Sequence, residues 1–394
     1  MTVVFFSYAY PPLKYPRAIQ VGRLGKFLSA PPRVLCCDDA SAKDASLEAV
    51  ASPDADRRVF ADRAGKLAWV WRKLTNLPDR QRPWAMRTAR EAVATGLVGR
   101  EDVLVTFGQP MSDHLAGLRI KRATGCPWVA HFSDPWTDNP FHWEVPLQRT
   151  LLRRMEASVV QAADRLVFTS EETVELVMAK YPAALRAKAS ALPHAFDPGL
   201  YGEAEPADGR KVVRYVGAFY RQRNPLALME AIRALRARAP RLLEGVRFEL
   251  VGPWNGNAGW TPQDAGLPAD LATTRKPVPY LESLRLMRSA DLLLILDAPF
   301  EQSVFFPSKL VDYIGAGRPV LAFTPPGTSA RVLAEVGGRA YPAGDAEVMA
   351  RGLAETLEDL AAGRLAAPSA EAARGYAGPA VAARFEALLA GLGS

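Results

Sequence analysis

Cysteine is scarce in this chain: three in 394 residues, at Cys36, Cys37 and Cys126. An odd, sparse set with two adjacent members builds no disulfide framework and has no zinc-ligand spacing. It fits a reducing cytoplasm. Long hydrophobic runs are also missing. No stretch reaches the roughly 18 uncharged apolar residues that read as a membrane-crossing helix. The apolar start, Met1 to Ala9, has no basic flank and no small-residue cleavage site, and Tyr10-Pro11-Pro12 follows at once. It reads as a first β-strand rather than a signal peptide. The glycine turns match neither Gly-x-Gly-x-x-Gly nor a P-loop, so neither a dinucleotide fold nor an ATPase is supported. No repeat of 20–50 residues is visible.

What is present points to a globular enzyme-sized chain. Its length favours two domains, and an apolar content of 49% is ordinary for a soluble protein. The formal net charge of +7 is unevenly spread. Residues 63–100 carry nine Lys/Arg against Asp79 and Glu91, an excess as large as that of the whole chain. Trp69, Trp71, Trp84, Leu67, Val70 and Leu74 lie among these cations. That composition suits an anionic membrane surface, with a buried tryptophan cluster under a solvated basic face as the plain alternative. A nucleic-acid partner is disfavoured, because no recognition motif accompanies the cations.

Short apolar runs alternate with helical periodicity through both halves, the pattern of doubly wound parallel sheets. Strands are expected at Thr2–Ser7, Arg33–Cys37, Asp102–Thr106, Trp128–His131 and Arg165–Thr169. A second set is expected at Val212–Val216, Phe248–Val251, Leu292–Leu296 and Pro319–Phe323. The polar, Gly/Pro-bearing stretch Tyr201–Lys211 reads as a linker. The expected division is therefore an N-terminal Rossmann-like domain over 1–200, a linker over 201–211 and a C-terminal Rossmann-like domain over 212–375. A last helix, 379–394, can pack back on the first domain. In such folds ligands bind outside the carboxyl ends of the strands, so the residues just after strands are the candidates.

Two segments of the second half stand out. After Val212–Val216 comes Gly217-Ala218-Phe219-Tyr220-Arg221-Gln222-Arg223-Asn224-Pro225 and then a helix. A strand, a glycine turn and a helix N-terminus form an anion site through free amides and the helix dipole, and Arg223 adds charge. The second segment is Ser308-Lys309-Leu310-Val311-Asp312-Tyr313 with Gly317-Arg318-Pro319-Val320. Ser308 is a candidate cap, and Lys309 sits in the first helical turn. A cation there opposes the dipole, which favours an anion nearby. An ordinary surface pair between Lys309 and Asp312 is the bland alternative.

These segments resemble the retaining GT-B glycosyltransferases, specifically family four, the group 1 glycosyl transferases. The resemblance covers nearly the whole chain. It implies an α/β GT-B fold, two Rossmann-like doubly wound domains facing across a cleft, and a nucleoside-diphosphate sugar as co-substrate with no cofactor or metal. By the resemblance, Arg223 and Lys309 hold the donor diphosphate beside Gly217 and Ser308. Asp312 accepts from the ribose, and Pro279 and Tyr280 lie against the nucleobase. The family's usual carboxylate pair is Glu, seven residues, Glu. Here the second position is Asp312 and the first is Val304, with Glu301 three residues earlier.

In the first half, Trp128-Val129-Ala130-His131-Phe132-Ser133-Asp134-Pro135-Trp136 resembles the family's strand ending in an Asp-Pro-Trp turn. His131 is placed by it against the transferred sugar; a satisfied core histidine is the alternative. Asp134, His114 and Arg17 are further acceptor-side candidates, each with a structural reading beside it: a turn cap, a neighbour of a helix cap at Ser112, and a surface arginine. Asp197 is expected to cap a turn. The function implied is sugar transfer, with retention, to a glycan or lipid-linked acceptor in the cytoplasm or at the inner membrane face. The rival reading is a GT-B scaffold that has lost transfer activity.

Overall fold

The computed structural model describes residues 2–13, 16–37, 77–141, 146–204, 209–255, 257 and 259–392. Residues 63–76 of the basic segment therefore lie outside the described residues. The chain divides into two units, Met1–His194 with Gly378–Ser394, and Ala195–Ala377.

The first unit is built on six strands: β1 (Val3–Phe6), β2 (Arg33–Leu35), β3 (Val103–Gly108), β4 (Trp128–Phe132), β5 (Arg165–Phe168) and β6 (Ala189–Ala191). Their order is β2-β1-β3-β4-β5-β6, and every pairing is parallel. β3 and β4 are buried at every position, because helices cover both faces of a parallel sheet and leave no side for alternation. Trp128, Phe6 and Phe132 anchor the core. The terminal helix Gly378–Ala390 belongs to this unit. Ser29 fastens it, its amide and hydroxyl both donating to Glu386 Oε1 at 2.6 Å.

The second unit holds β7 (Lys211–Val216), β8 (Val246–Val251), β9 (Ala272–Arg275), β10 (Leu292–Leu296), β11 (Val320–Phe323) and β12 (Arg339–Tyr341) in the order β12-β11-β10-β7-β8-β9, again all parallel. The helix Ala346–Ala361 starts where Asp345 accepts from the amides of Glu347 (2.9 Å) and Val348 (3.2 Å), the N-cap geometry expected of that aspartate.

Three strands had no apolar signature in the sequence: β6, β9 and β12. All three are sheet edges. They are short and partly exposed, so no run of apolar residues marks them. The stretch Tyr201–Lys211 also differs from a free linker. It lies in the second unit, and the chain divides earlier, after His194. The Tyr201 hydroxyl donates to the Asp312 carbonyl at 2.8 Å, and Arg210 Nη1 donates to the Asp270 carbonyl at 2.8 Å. These bonds tie the polar segment to the unit that follows it.

Arg214 on β7 and Glu249 on β8 form a buried cross-strand pair, with N···O distances of 2.7 and 2.8 Å. Arg247, Ser289 and the Leu286 carbonyl are further partners. Glu249→Ala leaves the buried guanidinium uncompensated. A loss of about 3–5 kcal/mol is expected, read as a lower urea midpoint; an unchanged midpoint would show that the pair is not buried as described.

Candidate active site

Two clusters of polar side chains stand at the carboxyl ends of strands, one in each unit. In the second unit the chain leaves β7 through Gly217, at φ +145°, and passes β8's exit at Gly252, at φ +130°. A side chain at Gly252 would run into the Gly217 carbonyl. Only glycine lets these two backbones approach. Gly217 N donates to Val251 O, and Phe219 N donates to Pro253 O, both at 2.8 Å. Tyr220 and Arg223 then close a tight hairpin with mutual amide–carbonyl bonds. Asn224 Oδ1 accepts from Leu226 N at the start of the helix Leu226–Arg238. The amides of Gly217, Phe219, Tyr220, Arg223 and Leu226 are thus already engaged.

The hairpin delivers Arg223 to the interior, 8% exposed. Its Nη2 lies 2.9 Å from Asp297 Oδ1, and its Nη1 donates to the Tyr220 hydroxyl at 2.8 Å. Its Nε is buried and has no hydrogen-bond partner. Burial disfavours the guanidinium's charge, but Tyr220, Asp297 and Tyr215 raise its pKa above the ordinary arginine value.

Lys309 reaches the same place from the helix Ser308–Ala316. Tyr313 docks that helix, its hydroxyl accepting from Val216 N at 2.8 Å. One turn away, Lys309 Nζ donates to the Tyr215 hydroxyl at 2.5 Å and sits 3.9 Å from that ring's centroid. A Cβ on Gly217 would meet Nζ at 2.8 Å. Burial, and the Arg223 charge close by, hold the lysine well below its ordinary pKa, with Asp297 acting the other way. Arg223, Lys309 and Gly217 are therefore brought together. Asp312 lies further along the helix, where its Oδ1 accepts from the Tyr280 hydroxyl at 3.1 Å. Tyr280 opens its own helix after Pro279. Ser308 does not cap: Pro307 occupies the N-cap position and Ser308 is the first helical residue. Val304 is buried and its carbonyl accepts from Thr328 Oγ1 at 3.1 Å, while Glu301 is exposed.

The cluster of the first unit gathers around Arg17, at the start of the helix Pro16–Lys26. Far from being a surface residue, it is buried. Its Nη2 lies 3.0 Å from both His131 Nδ1 and the His131 carbonyl, and its guanidinium stands over the Phe107 ring. His131, at the end of β4, is held well below the usual histidine range by burial and then by Arg17. His114 and His194 are pushed down to about 3 by burial and the same arginine. His114 is fully buried against Phe132, with Nδ1 2.8 Å from Thr106 Oγ1. The Ser112 hydroxyl donates to Asp79 Oδ1 at 2.7 Å. Asp134 lies partly buried in the bend after β4. That turn is pinned by Glu156 Oε2, which accepts from Thr137 N (3.0 Å) and Oγ1 (2.9 Å). Asp197 accepts from Gly199 N at 3.0 Å, the expected turn cap.

Asp297, Tyr215 and Asp79 were not anticipated. Asp297 had one legible signal, a carboxylate directly after an unbroken apolar strand. Asp79 reaches Ser112 across 33 residues of sequence, which no local pattern announces. Among the described residues, no group of three or more His, Cys, Asp or Glu is arranged to hold a metal ion, and no helix is long and apolar enough to cross a membrane.

Two six-stranded parallel sheets flanked by helices define the GT-B fold of glycosyltransferases. More narrowly, residues 30–193 match the glycosyl transferase 4-like domain. Anabaena HepE, solved with UDP and glucose, is 16% identical, with a TM-score of 0.67 over 100% of both chains. Sucrose-phosphate synthase from Thermosynechococcus elongatus is also 16% identical, with a TM-score of 0.66 over 100% of this chain and 99% of that one. The UDP-forming trehalose-phosphate synthase of Burkholderia xenovorans is 14% identical, at 0.64 over 99% and 100%. No curated protein matches the sequence.

The buried histidines carry a pH consequence. His114 folds with a pKa far below its unfolded value near 6.5, so the unfolded chain takes up the proton first. Stability is then full above about pH 6.5 and falls as pH drops toward 3. At pH 5 this residue alone costs about 2 kcal/mol. Its imidazole resonance should show no titration between pH 7 and 4; a midpoint near 6 would contradict the burial.

Proposed function

We propose that the protein is a glycosyltransferase that moves a sugar from a nucleoside diphosphate to an acceptor with retention at the anomeric carbon. The observation that carries this reading is the meeting of Arg223, from a hairpin, and Lys309, from a helix, at the glycine turn after β7. Two buried cations with one unpaired donor edge suit a diphosphate better than any neutral ligand. The solved relatives support it: HepE has been solved with UDP and with UDP-glucose.

In the reaction, the bond between the anomeric carbon and the phosphate oxygen breaks, and its electrons stay on the diphosphate. Arg223 and Lys309 stabilise that charge as it develops, which gives the step a cationic clamp without a metal. The acceptor oxygen bonds to the anomeric carbon on the face the phosphate leaves. Its proton passes to the departing phosphate oxygen. Burial depresses the Lys309 pKa, and an arriving anion reverses that depression. Asp312 and Tyr280 receive the nucleoside. In the first unit, His131, oriented by Arg17, addresses the sugar, and Asp134 and His114 belong to the acceptor side. Exposed Arg82, Arg87 and Arg90 in the helix Arg82–Ala94 favour an anionic, lipid-linked acceptor at a membrane surface.

Buried Val304 and exposed Glu301 favour a second reading, a donor-binding scaffold without turnover, since neither supplies the usual sugar-orienting carboxylate. Nucleotide binding with no sugar transfer or hydrolysis would select it. For the enzyme, UDP, GDP and ADP and their glucose conjugates form the first screen. A ligand at 100 times its dissociation constant adds about 2.7 kcal/mol of stability. Charge-assisted contacts contribute roughly 1.5–3 kcal/mol. Arg223→Ala and Lys309→Ala should therefore each lower kcat/KM on the order of 10–100-fold. Native turnover in either variant would remove the basis for the assignment.

A further inference from the structure

We infer that Asp297 is a positioning residue for the donor diphosphate: together with Tyr220 it holds the terminal nitrogens of Arg223, so that the guanidinium presents its Nε–H to the phosphate. This rests on the reading of the second unit as the donor site and adds to it the device that aims its arginine.

Asp297 is the first residue after β10, and it is 8% exposed. A carboxylate beside a site for an anion repels the ligand, so its presence there needs a reason. Its bonds supply one. Oδ1 faces Arg223 Nη2 at 2.9 Å. Oδ2 accepts from Thr324 Oγ1 and from Ser329 Oγ, each at 2.8 Å. Thr324 follows β11, and Ser329 lies in the first turn of the helix Thr328–Val336. The carboxylate is therefore fixed from behind by two hydroxyls on two further elements. The Asp297 and Tyr220 contacts engage both terminal nitrogens of the guanidinium. Nε is the one nitrogen left unsatisfied, and it is buried. An unpaired buried donor is costly unless a ligand completes it, and a pre-aimed donor loses little freedom when that ligand arrives.

Aiming Arg223 and simply tempering its charge have opposite effects on phosphate binding. Asp297→Asn removes a negative charge close to the phosphates, so an Asp297 that only tempers charge predicts tighter binding. An Asp297 that aims Arg223 predicts weaker binding. We expect calorimetric affinity for the nucleoside diphosphate bound by the native protein, among UDP, GDP and ADP, to fall on the order of tenfold or more. Affinity for the matching nucleoside, which lacks phosphate, should stay within about threefold, a margin smaller than one ordinary hydrogen bond. In an Arg223→Ala background, Asp297→Asn should cause no further loss, since the two act as one unit. Unchanged or tighter diphosphate binding in Asp297→Asn overturns the inference, as does an equal loss with and without Arg223. If Asp297→Asn does not fold, Thr324→Val should weaken diphosphate binding and Thr324→Ser, which keeps the hydroxyl, should restore it; equal affinities in both overturn the inference. Should the native protein bind none of the three diphosphates, the donor-site reading fails first and this inference with it. If it binds and only the Asp297 series disagrees, the donor-site reading stands.

Discussion

Arg223 and Asp297 meet where β7 and β10 end, and much of the second unit is arranged around that contact. A guanidinium and a carboxylate taken out of water are expensive to hold apart, and worthwhile only when each has further partners. The unit provides them. Tyr220 closes the hairpin that carries Arg223 inward, and Thr324 and Ser329 brace the carboxylate from two other elements. Lys309 enters the same space because Tyr313 fixes its helix to the end of β7. Four elements of the fold thus converge on one charged point, and the glycines at 217 and 252 make the space for it.

The first unit solves a related problem with a different balance of charge. Arg17 is buried among His131, His114 and His194, and its charge helps to keep all three imidazoles neutral. Neutral imidazoles offer both a donor and an acceptor, which suits recognition of sugar hydroxyls. Glu156 performs the fixing role here. Through Thr137, Lys180 and Tyr181 it locks the turn after β4 that carries Asp134. The carboxyl ends of parallel strands carry charged clusters in both units, one with Arg223 and Lys309 and one with Arg17 among neutral rings.

Much of the architecture is legible in the amino-acid sequence. The central strands are buried on both faces, so their apolar runs are unbroken and easy to read: Leu292–Leu296 is placed to the residue. The edge strands Ala189–Ala191, Ala272–Arg275 and Arg339–Tyr341 carry no such signature, because half their surface meets solvent. Arg223 and Lys309 were legible as a charge pair at helix starts, and Asp345 and Asp197 as caps, since each depends on neighbours a few residues away. Ser308 and Ser112 misled for the same reason: both are plausible caps by local pattern, yet Pro307 takes one position and Asp79 takes the hydroxyl of the other.

By itself, then, the amino-acid sequence determined the parallel α/β sheets, the two-part organisation, the cationic segments after β7 and β10, and the missing carboxylate at Val304. These follow from hydrophobic periodicity and short-range spacing, which act within a few turns of chain. Only the tertiary structure decided that Lys309 lies against Tyr215 near Arg223, that Asp297 pairs with that arginine, and that Arg17 is buried beside His131. Each of those rests on contacts between residues some 70 to 115 positions apart, where burial and desolvation, rather than local pattern, set which groups pair.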